Sequence, residues 1–387
     1  RRVGELFVIT QDAAYANIVT PVLLYSYSAL LKRRLAKRGI DFIQIDMTAG
    51  LTEMRDYDPS FHMARLNQHF LALDRTTQQR IRNGSYSEFR DIERNESFQE
   101  QVDAYLDRFG HLSDSGNDFS SKPWRENPDL LLQMITEYGA GDKQSNLLLQ
   151  WDDLALSRLD RWELSWLYGR ARQFRFYREA VSFLYTYGYG LFRKCFLGLG
   201  ESFAGRGLID KPTDIFYLYF EDIESLVKEG YMAAPQQDVV LARKQEMEAS
   251  RDALLPDIIY GDQAPPLEVA GSSSERLNGV ATSPGYYQGP VRVIQSLTEF
   301  ELVQQGDVLV IPYSDVSWTP LFSKAGALVA ESGGILSHCS IVARENDLPA
   351  VVSVTGACRL LTDGMTVFVD GYKGEVILSK DGGDSTS

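Results

Sequence analysis

Cysteine and histidine are scarce in this chain of 387 residues, which has four histidines and three cysteines. The cysteines (Cys195, Cys339 and Cys358) stand far apart and offer neither a disulfide framework nor metal-ligand spacing. The sequence therefore predicts no bound metal and a reducing compartment, the cytoplasm. Basic residues are the minority, with 39 Lys and Arg against 53 Asp and Glu, a formal net charge of −14. This acidic excess argues against nucleic acid or an anionic membrane surface as a partner.

A long, purely apolar segment is also missing. Residues 13–31 carry no charge but include Asn17, Thr20, Pro21 and Ser28, so they favour a buried or groove-lining helix over a membrane span. No small-residue cleavage pattern of a signal peptide is present. An initiator methionine is absent too, and residues 4–10 read as a strand that begins abruptly. We therefore expect a fragment or a processed piece of a longer polypeptide.

The chain is long enough for two or three domains with a substantial core. Helical apolar spacing appears at 60–73, at 97–109, over a long aromatic run at 155–197, and again at 237–254. A stiff Pro-Pro pair followed by Gly-Ser-Ser-Ser then predicts a linker. The predicted division is a helical domain at 1–261, a flexible linker at 262–276, a second domain at 277–379 and a disordered tail at 380–387.

One motif near the end of the chain carries chemistry. A short apolar strand, residues 327–330, is followed by Gly333 and Gly334, whose freedom allows a tight turn beside a phosphate-sized group. Ser337 is placed as the N-cap of the next helix, so His338 falls in its first turn. Unpaired N–H groups and the helix dipole favour an anion there. A histidine in that position can act as a nucleophile whose phosphorylated form its own helix stabilises, and the alternative is an ordinary surface or core imidazole. The motif alone does not decide between them.

The sequence around this motif supplies several landmarks in a fixed order. They are Gly279-Val-Ala-Thr-Ser-Pro-Gly, Gly289-Pro-Val-Arg-Val-Ile, Gly306-Asp-Val-Leu-Val, Trp318-Thr-Pro-Leu-Phe and Gly374-Glu-Val-Ile-Leu. Together they resemble the swivelling phosphohistidine domain of the phosphoenolpyruvate-utilising enzymes, which include phosphoenolpyruvate synthase, pyruvate phosphate dikinase and rifampin phosphotransferase. The resemblance implies a mobile β/β/α domain and a phosphoryl group carried on Nε2 of His338.

The motif departs from the family at two positions. Leu336 stands where the family often has threonine, and Cys339 where it often has alanine. Ser337 and Ser340 are the hydroxyls left to position a phosphate, whereas Cys339 reads as a small buried residue. Arg344 is a further candidate for pairing with the phosphate, the alternative being that it faces Glu345 or solvent.

A polar loop at 109–128 has the composition of a binding site. It resembles an acceptor loop of rifampin phosphotransferase-like proteins, although Leu112 replaces an arginine of that pattern and Asn117 stands near its glutamate. The alternative is a capped, solvated loop that docks two helices. His111 is the candidate acid–base or orienting group for an acceptor hydroxyl. The full set of acceptor-binding candidates in this loop is His111, Asp114, Asp118, Lys122, Trp124 and Arg125.

The aromatic run at 155–197 carries interleaved arginines and has two interpretations. It predicts either a core helix pair whose arginines reach the surface, or an aromatic wall around a large apolar acceptor. In the second case Arg172 and Arg178 meet the incoming phosphohistidine. A short strand is expected after Gly207, with a new helix opening near Glu221. The remaining histidines, His62 and His69, read as packing residues.

The expected fold class is α + α/β, with a mainly helical acceptor-type domain followed by the phosphohistidine domain. The resemblance implies that ATP and Mg²⁺ act on an ATP-grasp module outside this sequence, that the chain itself binds no cofactor, and that the acceptor is a small molecule. One alternative is a component of a split phosphoenolpyruvate synthase or dikinase, or a ligase of the superfamily that uses phosphoryl activation. Another is a non-catalytic phosphocarrier or regulatory protein.

Overall fold

A computed structural model of the chain describes residues 2–42, 45, 47, 52–93, 95–115, 118–138, 149–230, 233–250, 276–335 and 337–379. Helices occupy the described residues up to Ala249, here called the helical region, and a β-sheet with short helices occupies 276–378, here called the lobe. The expected fold class is therefore confirmed. The predicted linker, apart from Arg276, and the predicted tail lie outside the described residues, so the domain boundaries stay predictions.

The helical region follows the apolar periodicity of the sequence closely at two places. The segments predicted at 60–73 and 97–109 are confirmed as α2 and α5. Asp58 accepts a hydrogen bond from the Ser60 backbone N–H and so caps α2. The helices are α1 (Arg2–Ala36), α2 (Pro59–Ala72), α3 (Arg75–Asn83), α4 (Tyr86–Arg90), α5 (Glu96–Phe109), α6 (Pro128–Thr136), α7 (Arg158–Gly205), α8 (Phe220–Glu229) and α9 (Gln237–Ala249).

Three local predictions were wrong in this region. The apparent strand at 4–10 is part of the 35-residue helix α1, because a short apolar run alone does not distinguish strand from helix. The aromatic run is one helix of 48 residues, α7, and not a helix pair. The expected strand after Gly207 is a 3₁₀ helix, Pro212–Tyr217, whose Asp214 side chain accepts a hydrogen bond from the Lys211 N–H.

Helices α1 and α7 pack side by side in opposite directions. Arg34 and Arg38, near the end of α1, pair with Glu163 and Asp160 near the start of α7, each at 2.5 Å. The inner face of α1 buries Leu24, Leu31 and Leu35, while its outer face leaves Val8, Tyr15, Ile18, Val22 and Tyr25 exposed. Among the described residues, the stretch Gln11–Ala36 is the one long and apolar enough to cross a membrane by length and composition alone. A helix with one face packed inside a protein passes the same test.

The lobe is built on one mixed sheet of eight strands in the order β1-β8-β7-β3-β4-β5-β6-β2. Neighbouring strands from β3 to β6 run parallel, and the outer pairs are antiparallel. The strands are β1 (Arg276–Asn278), β2 (Val280–Ser283), β3 (Tyr286–Val293), β4 (Asp307–Ile311), β5 (Ala325–Ala330), β6 (Ala350–Val352), β7 (Thr366–Asp370) and β8 (Glu375–Leu378). Its helices are α10 (Thr319–Phe322), α11 (His338–Glu345) and α12 (Ala357–Leu360).

The sheet curves until its two edges meet. Only Gly279 separates β1 from β2, although these strands lie at opposite ends of the strand order. The Gly279 N–H donates to the carbonyl of Gly374 at 2.8 Å, and a Cβ at Gly374 would lie 2.7 Å from the Gly279 carbonyl oxygen. The concave face buries a valine-rich core, including Val291, Val310 and Val329.

The convex face of the sheet shares its core with the helical region. Leu309, Ile311 and Leu328 belong to the same buried cluster as Met63 and Phe70 of α2. This packing places α10 and the start of α11 beside the helical region, and so brings His338 close to α7.

Candidate active site

His338 begins α11, as the glycine-serine-histidine pattern predicted. Ser337 occupies the N-cap position with extended dihedrals, but its hydroxyl donates to the Gly334 carbonyl at 2.8 Å and does not cap the helix. Gly333 has φ 131°, and a Cβ there would lie 2.9 Å from Ser337 Oγ. Glycine is therefore required at 333, because the turn before the histidine needs both the positive φ and the space.

The imidazole of His338 contacts a threonine hydroxyl. Its Nε2 lies 3.0 Å from Thr319 Oγ1, and that hydroxyl donates its only hydrogen to the Val316 carbonyl at 2.8 Å. Thr319 is thus left to accept from Nε2–H, which puts the hydrogen of the neutral ring on Nε2 and the lone pair on Nδ1. In this pose Nε2 is covered, so phosphorylation at Nε2 stays a prediction that requires the ring or the hydroxyl to turn.

The surroundings of His338 keep the ring neutral. Burial lowers its pKa, and the positive charge of Arg178 acts in the same direction, while Glu179 and Asp315 oppose them. Arg178 Nη1 and Glu179 Oε1 form an ion pair at 3.1 Å on α7. The neutral imidazole is the nucleophilic form, so the site is prepared to attack phosphorus near neutral pH.

The other phosphate-positioning candidates lie around the turn that precedes α11. Ser340 is fully buried, with its Oγ 2.9 Å from Ser337 Oγ, and Cys339 is buried as expected. Arg344 donates to the carbonyls of Thr282 and Ile335 at 2.7 and 2.8 Å, and so fastens the turn to β2. A phosphate contact by Arg344 stays a prediction. Leu336 lies outside the described residues.

His111 is buried against α7. Its Nε2 lies 3.5 Å from Thr186 Oγ1, and its ring makes edge-to-face contacts with Phe183 and Tyr187 at 4.9 and 5.2 Å. Burial, helped by the positive charge of Arg125, lowers its pKa to about 4. His111 is therefore neutral near pH 7 and held in one orientation.

Most other candidates of the acceptor loop make structural contacts. Trp124 is 1% exposed and stacks on Tyr105 with 6.1 Å between ring centroids. Arg125 donates to the carbonyls of Leu106 and Asp107 at the end of α5, at 3.0 and 3.3 Å. Asp118 accepts from Ser120 N and Ser121 Oγ within the loop. Lys122 is exposed.

The buried position of Leu112 accounts for the leucine that replaces the arginine of the family pattern. It is 3% exposed and belongs to the large core cluster, and its carbonyl accepts from the Trp124 N–H at 2.8 Å. An apolar side chain therefore fits this position, whereas an arginine would be buried. Asn117 lies outside the described residues.

The charge of Arg178 acts on His338, whereas Arg172 lies six residues earlier on α7. Arg172 lies over the ring of Tyr168, at 5.2 Å from its centroid. His338 and His111 meet the same helix, at Glu179 and at Thr186 respectively. Seven residues of α-helix separate those positions by about 10 Å along the axis. The two histidines therefore lie along one side of α7.

Three residues of the site escaped the sequence analysis. Thr319 stood inside a quoted family landmark, but nothing in sequence linked it to a histidine 19 residues away. Glu179 is an ordinary helix residue until the lobe is packed against it. Arg193 is 4% exposed, pairs with both oxygens of Glu126 and donates to the carbonyls of Phe119 and Ser120, and so holds the loop in place.

Clusters of possible metal ligands were sought throughout the part of the chain that the structure describes. No group of three or more His, Cys, Asp or Glu lies close enough there to hold a metal ion. His62 and His69 pack on aromatic rings, at 5.2 Å from Phe109 and 5.5 Å from Phe98.

Family models match both parts of the chain. Residues 303–374 match the mobile domain of the PEP-utilising enzymes, the class that the curved sheet and His338 define. Residues 62–179 match the fourth domain of rifampicin phosphotransferase. The resemblance inferred from the sequence is therefore confirmed for the lobe and for the helical region.

Individual relatives agree with these matches. Rifampicin phosphotransferase of Streptomyces sviceus is 29% identical over 72% of this chain and 34% of its own length. The Bacillus cereus protein of the same name is 27% identical over 73% of this chain and 34% of its own. The prodigiosin synthesizing transferase PigC of Serratia marcescens has those same values. The chain thus spans about a third of the length of these relatives. A solution structure of Enzyme I aligns with 21% of this chain and 34% of its own, at 27% identity and a TM-score of 0.20, which supports no structural argument.

Proposed function

We propose that this chain is the delivery part of a phosphotransferase. His338 accepts a phosphoryl group that originates from ATP, and the lobe passes it to a small-molecule acceptor bound at the helical region. The observation that carries this proposal is the placement of a neutral histidine at the start of α11, within reach of the charges of Arg178 and Glu179 on α7. The similarity to rifampicin phosphotransferases supports the same class of reaction.

The reaction divides into two transfers. In the first, a ring nitrogen of His338 forms a bond to phosphorus while the phosphorus–oxygen bond of the donor breaks. In the second, an acceptor hydroxyl attacks phosphorus, the nitrogen–phosphorus bond breaks, and the hydroxyl proton passes to a base. Glu179 is the candidate for that base, because it is a carboxylate on α7 whose charge acts on His338. Arg178 is suited to stabilise the charge on the transferred group.

Donor and partner follow from the same proposal. ATP and Mg²⁺ act on an ATP-grasp module, on the same polypeptide or a separate subunit, and this chain binds no cofactor of its own. The setting is the cytoplasm, without nucleic acid or membrane as partner. His111 contacts α7 at Thr186, about two turns beyond Glu179, and orients the acceptor from there.

A second candidate function is a ligase of the superfamily that uses phosphoryl activation to drive a condensation. It is favoured by one observation: the prodigiosin synthesizing transferase matches this chain over the same share as a rifampicin phosphotransferase does. The two candidates differ in their product. A ligase releases free phosphate and a condensed molecule, whereas a phosphotransferase leaves the phosphoryl group on the acceptor.

The test is to incubate the chain with an ATP-grasp module of a matching relative and radiolabelled ATP, and to measure protein-bound label. We expect label that is stable to base and labile to acid, as in a phosphohistidine. His338→Ala should remove it, and the matched variant His69→Ala should keep it. Label that survives in His338→Ala would refute the assignment.

A further inference from the structure

The loop that carries His111 also holds the lobe. Ser317 Oγ donates to the Ser113 carbonyl at 2.6 Å, and Trp318 Nε1 donates to the Asp114 carbonyl at 2.9 Å. Both donors directly precede Thr319, whose hydroxyl contacts His338. These two hydrogen bonds between the parts of the molecule thus lie one and two residues from a side chain of the active site.

The carboxylate of Asp114 makes a third contact with the lobe. Its Oδ2 accepts from Ser296 Oγ at 2.5 Å and from the Leu297 N–H at 3.2 Å. Leu297 begins a 3₁₀ helix, Leu297–Leu302, so a residue of the helical region supplies negative charge to the unpaired N–H groups of a helix in the lobe. Asp114 was predicted to bind the acceptor, but its hydrogen-bonding capacity is directed here at the lobe.

An ion pair between a buried lysine and a partly exposed glutamate fastens the other side of α10. Lys324 is 9% exposed, and its Nζ lies 2.7 Å from Glu137 Oε2 and 4.2 Å from the ring centroid of Phe300. Glu137 directly follows α6 of the helical region. The short helix α10, which begins with Thr319, is therefore held before its first residue by the Ser113–Asp114 carbonyls and after its last by Glu137.

On the basis of the proposed function, we propose that Asp114, Glu137 and Lys324 are positioning residues for delivery. They fasten the lobe in the pose that sets His338 against Arg178 and Glu179. They touch neither the imidazole nor the phosphoryl group, and act through α10 and Thr319. Their loss shifts the lobe toward poses in which His338 leaves α7, so delivery to the acceptor slows while charging of the histidine is not slowed.

The position of the lobe can be measured without any phosphotransfer. Diethyl pyrocarbonate acylates neutral imidazole, and mass spectrometry resolves the four histidines of the chain. In the intact chain we expect Asp114→Ala and Lys324→Met to raise the acylation rate of His338 about tenfold. The matched controls Asp103→Ala, which loses an ion pair with Arg90 inside the helical region, and Lys228→Met, which loses one with Glu224 inside α8, should leave it unchanged. An unchanged acylation rate of His338 in both Asp114→Ala and Lys324→Met would overturn the proposal.

Two further measurements separate positioning from general loss of structure. Acylation of the buried His111 should stay at its original rate in every variant, since partial unfolding would expose it as well. Lys324→Glu places two carboxylates together and should release the lobe, and adding Glu137→Lys restores an ion pair. If His338 is again acylated slowly in that double variant, the result supports the positioning role of the ion pair. Fast acylation of His338 there counts against it.

Kinetics then test the link to function. With the ATP-grasp module and labelled ATP, charging of Asp114→Ala should match or exceed the original rate, and single-turnover delivery to rifampicin, used as the probe acceptor, should fall about tenfold. If no variant is charged while acylation responds as expected, the proposed function fails and the positioning role stands. If charging works but acylation never changes, the positioning role fails alone.

Discussion

The lobe and the helical region contribute to one site in different ways. In the lobe, the candidate residues from Gly333 to His338 follow one another along the turn between β5 and α11. The local backbone therefore sets the spacing between them. In the helical region, α7 meets a loop that lies far earlier in the chain, so their residues come together only in the folded protein, as His111 and Thr186 do across 75 residues. The comparison indicates that a motif confined to one turn is readable in sequence, whereas a site assembled from distant segments is not.

The largest effect is expected from a substitution of Trp124. The sequence suggested acceptor binding for this residue, whereas the structure places it in the core. Trp124→Ala should lower the free energy of unfolding by about 4 kcal/mol, because a large buried ring leaves a cavity. Denaturant unfolding measures the change. The same substitution at Trp162, which is 82% exposed, should cost less than about 0.5 kcal/mol. If Trp124→Ala weakened acceptor binding without loss of stability, the sequence-based assignment would be right.

Arg193 tests whether the loop depends on α7. Arg193→Met should cost about 3 kcal/mol, because it leaves Glu126 and the Phe119 and Ser120 carbonyls without their donor. The exposed Arg170 offers the matched control, Arg170→Met, for which little change is expected. Thermal unfolding and amide exchange in the loop would record both. Equal effects of the two substitutions would contradict this assignment.

His111 makes the helical region sensitive to acid. Its pKa is about 4 in the folded chain against an ordinary 6.5, so the unfolded state binds more protons between these values and stability falls as pH drops through that window. The loss at pH 5 relative to pH 7 should be about 2 kcal/mol. His111→Phe should remove that part of the pH dependence, and His69→Phe should keep it. A pH profile unaltered by His111→Phe would show that other groups cause the acid sensitivity.

The smallest expected effect concerns the tautomer of His338, that is, which ring nitrogen carries the hydrogen. Thr319→Val removes the acceptor of Nε2–H, so the preference for that tautomer should weaken by about 1 kcal/mol. Nitrogen-15 NMR of the imidazole distinguishes the two tautomers directly. Thr298→Val, elsewhere in the lobe, serves as the control. A tautomer ratio insensitive to Thr319→Val would mean that this hydroxyl does not set the ring.

These predictions also mark what the sequence was able to reveal. Gly333 and His338 were found because a positive-φ turn and a helix start have local residue requirements. The burial of Trp124 was not foreseen, because a loop rich in glycine and serine gives no sign that one of its rings stacks on Tyr105 of α5. Its role in acceptor binding stays a prediction.

Asp114 shows the same limit at the interface. A carboxylate in a polar loop has many possible partners, and its actual partners, Ser296 and Leu297, are more than 180 residues away. The strand expected at residues 4–10 was wrong for a related reason, since these residues belong to a helix of 35 residues and a window of seven does not reveal its length.

The pairing of β1 with β8 has a mechanical consequence. Arg276 lies opposite Ile377, so the chain enters and leaves the sheet at neighbouring points. If both connections to the lobe lie at one corner of the sheet, the lobe can rotate about that corner. Such a turn would leave the pairing of the strands intact, but it would have to separate both the fastenings around α10 and the apolar core that the convex face shares with α2.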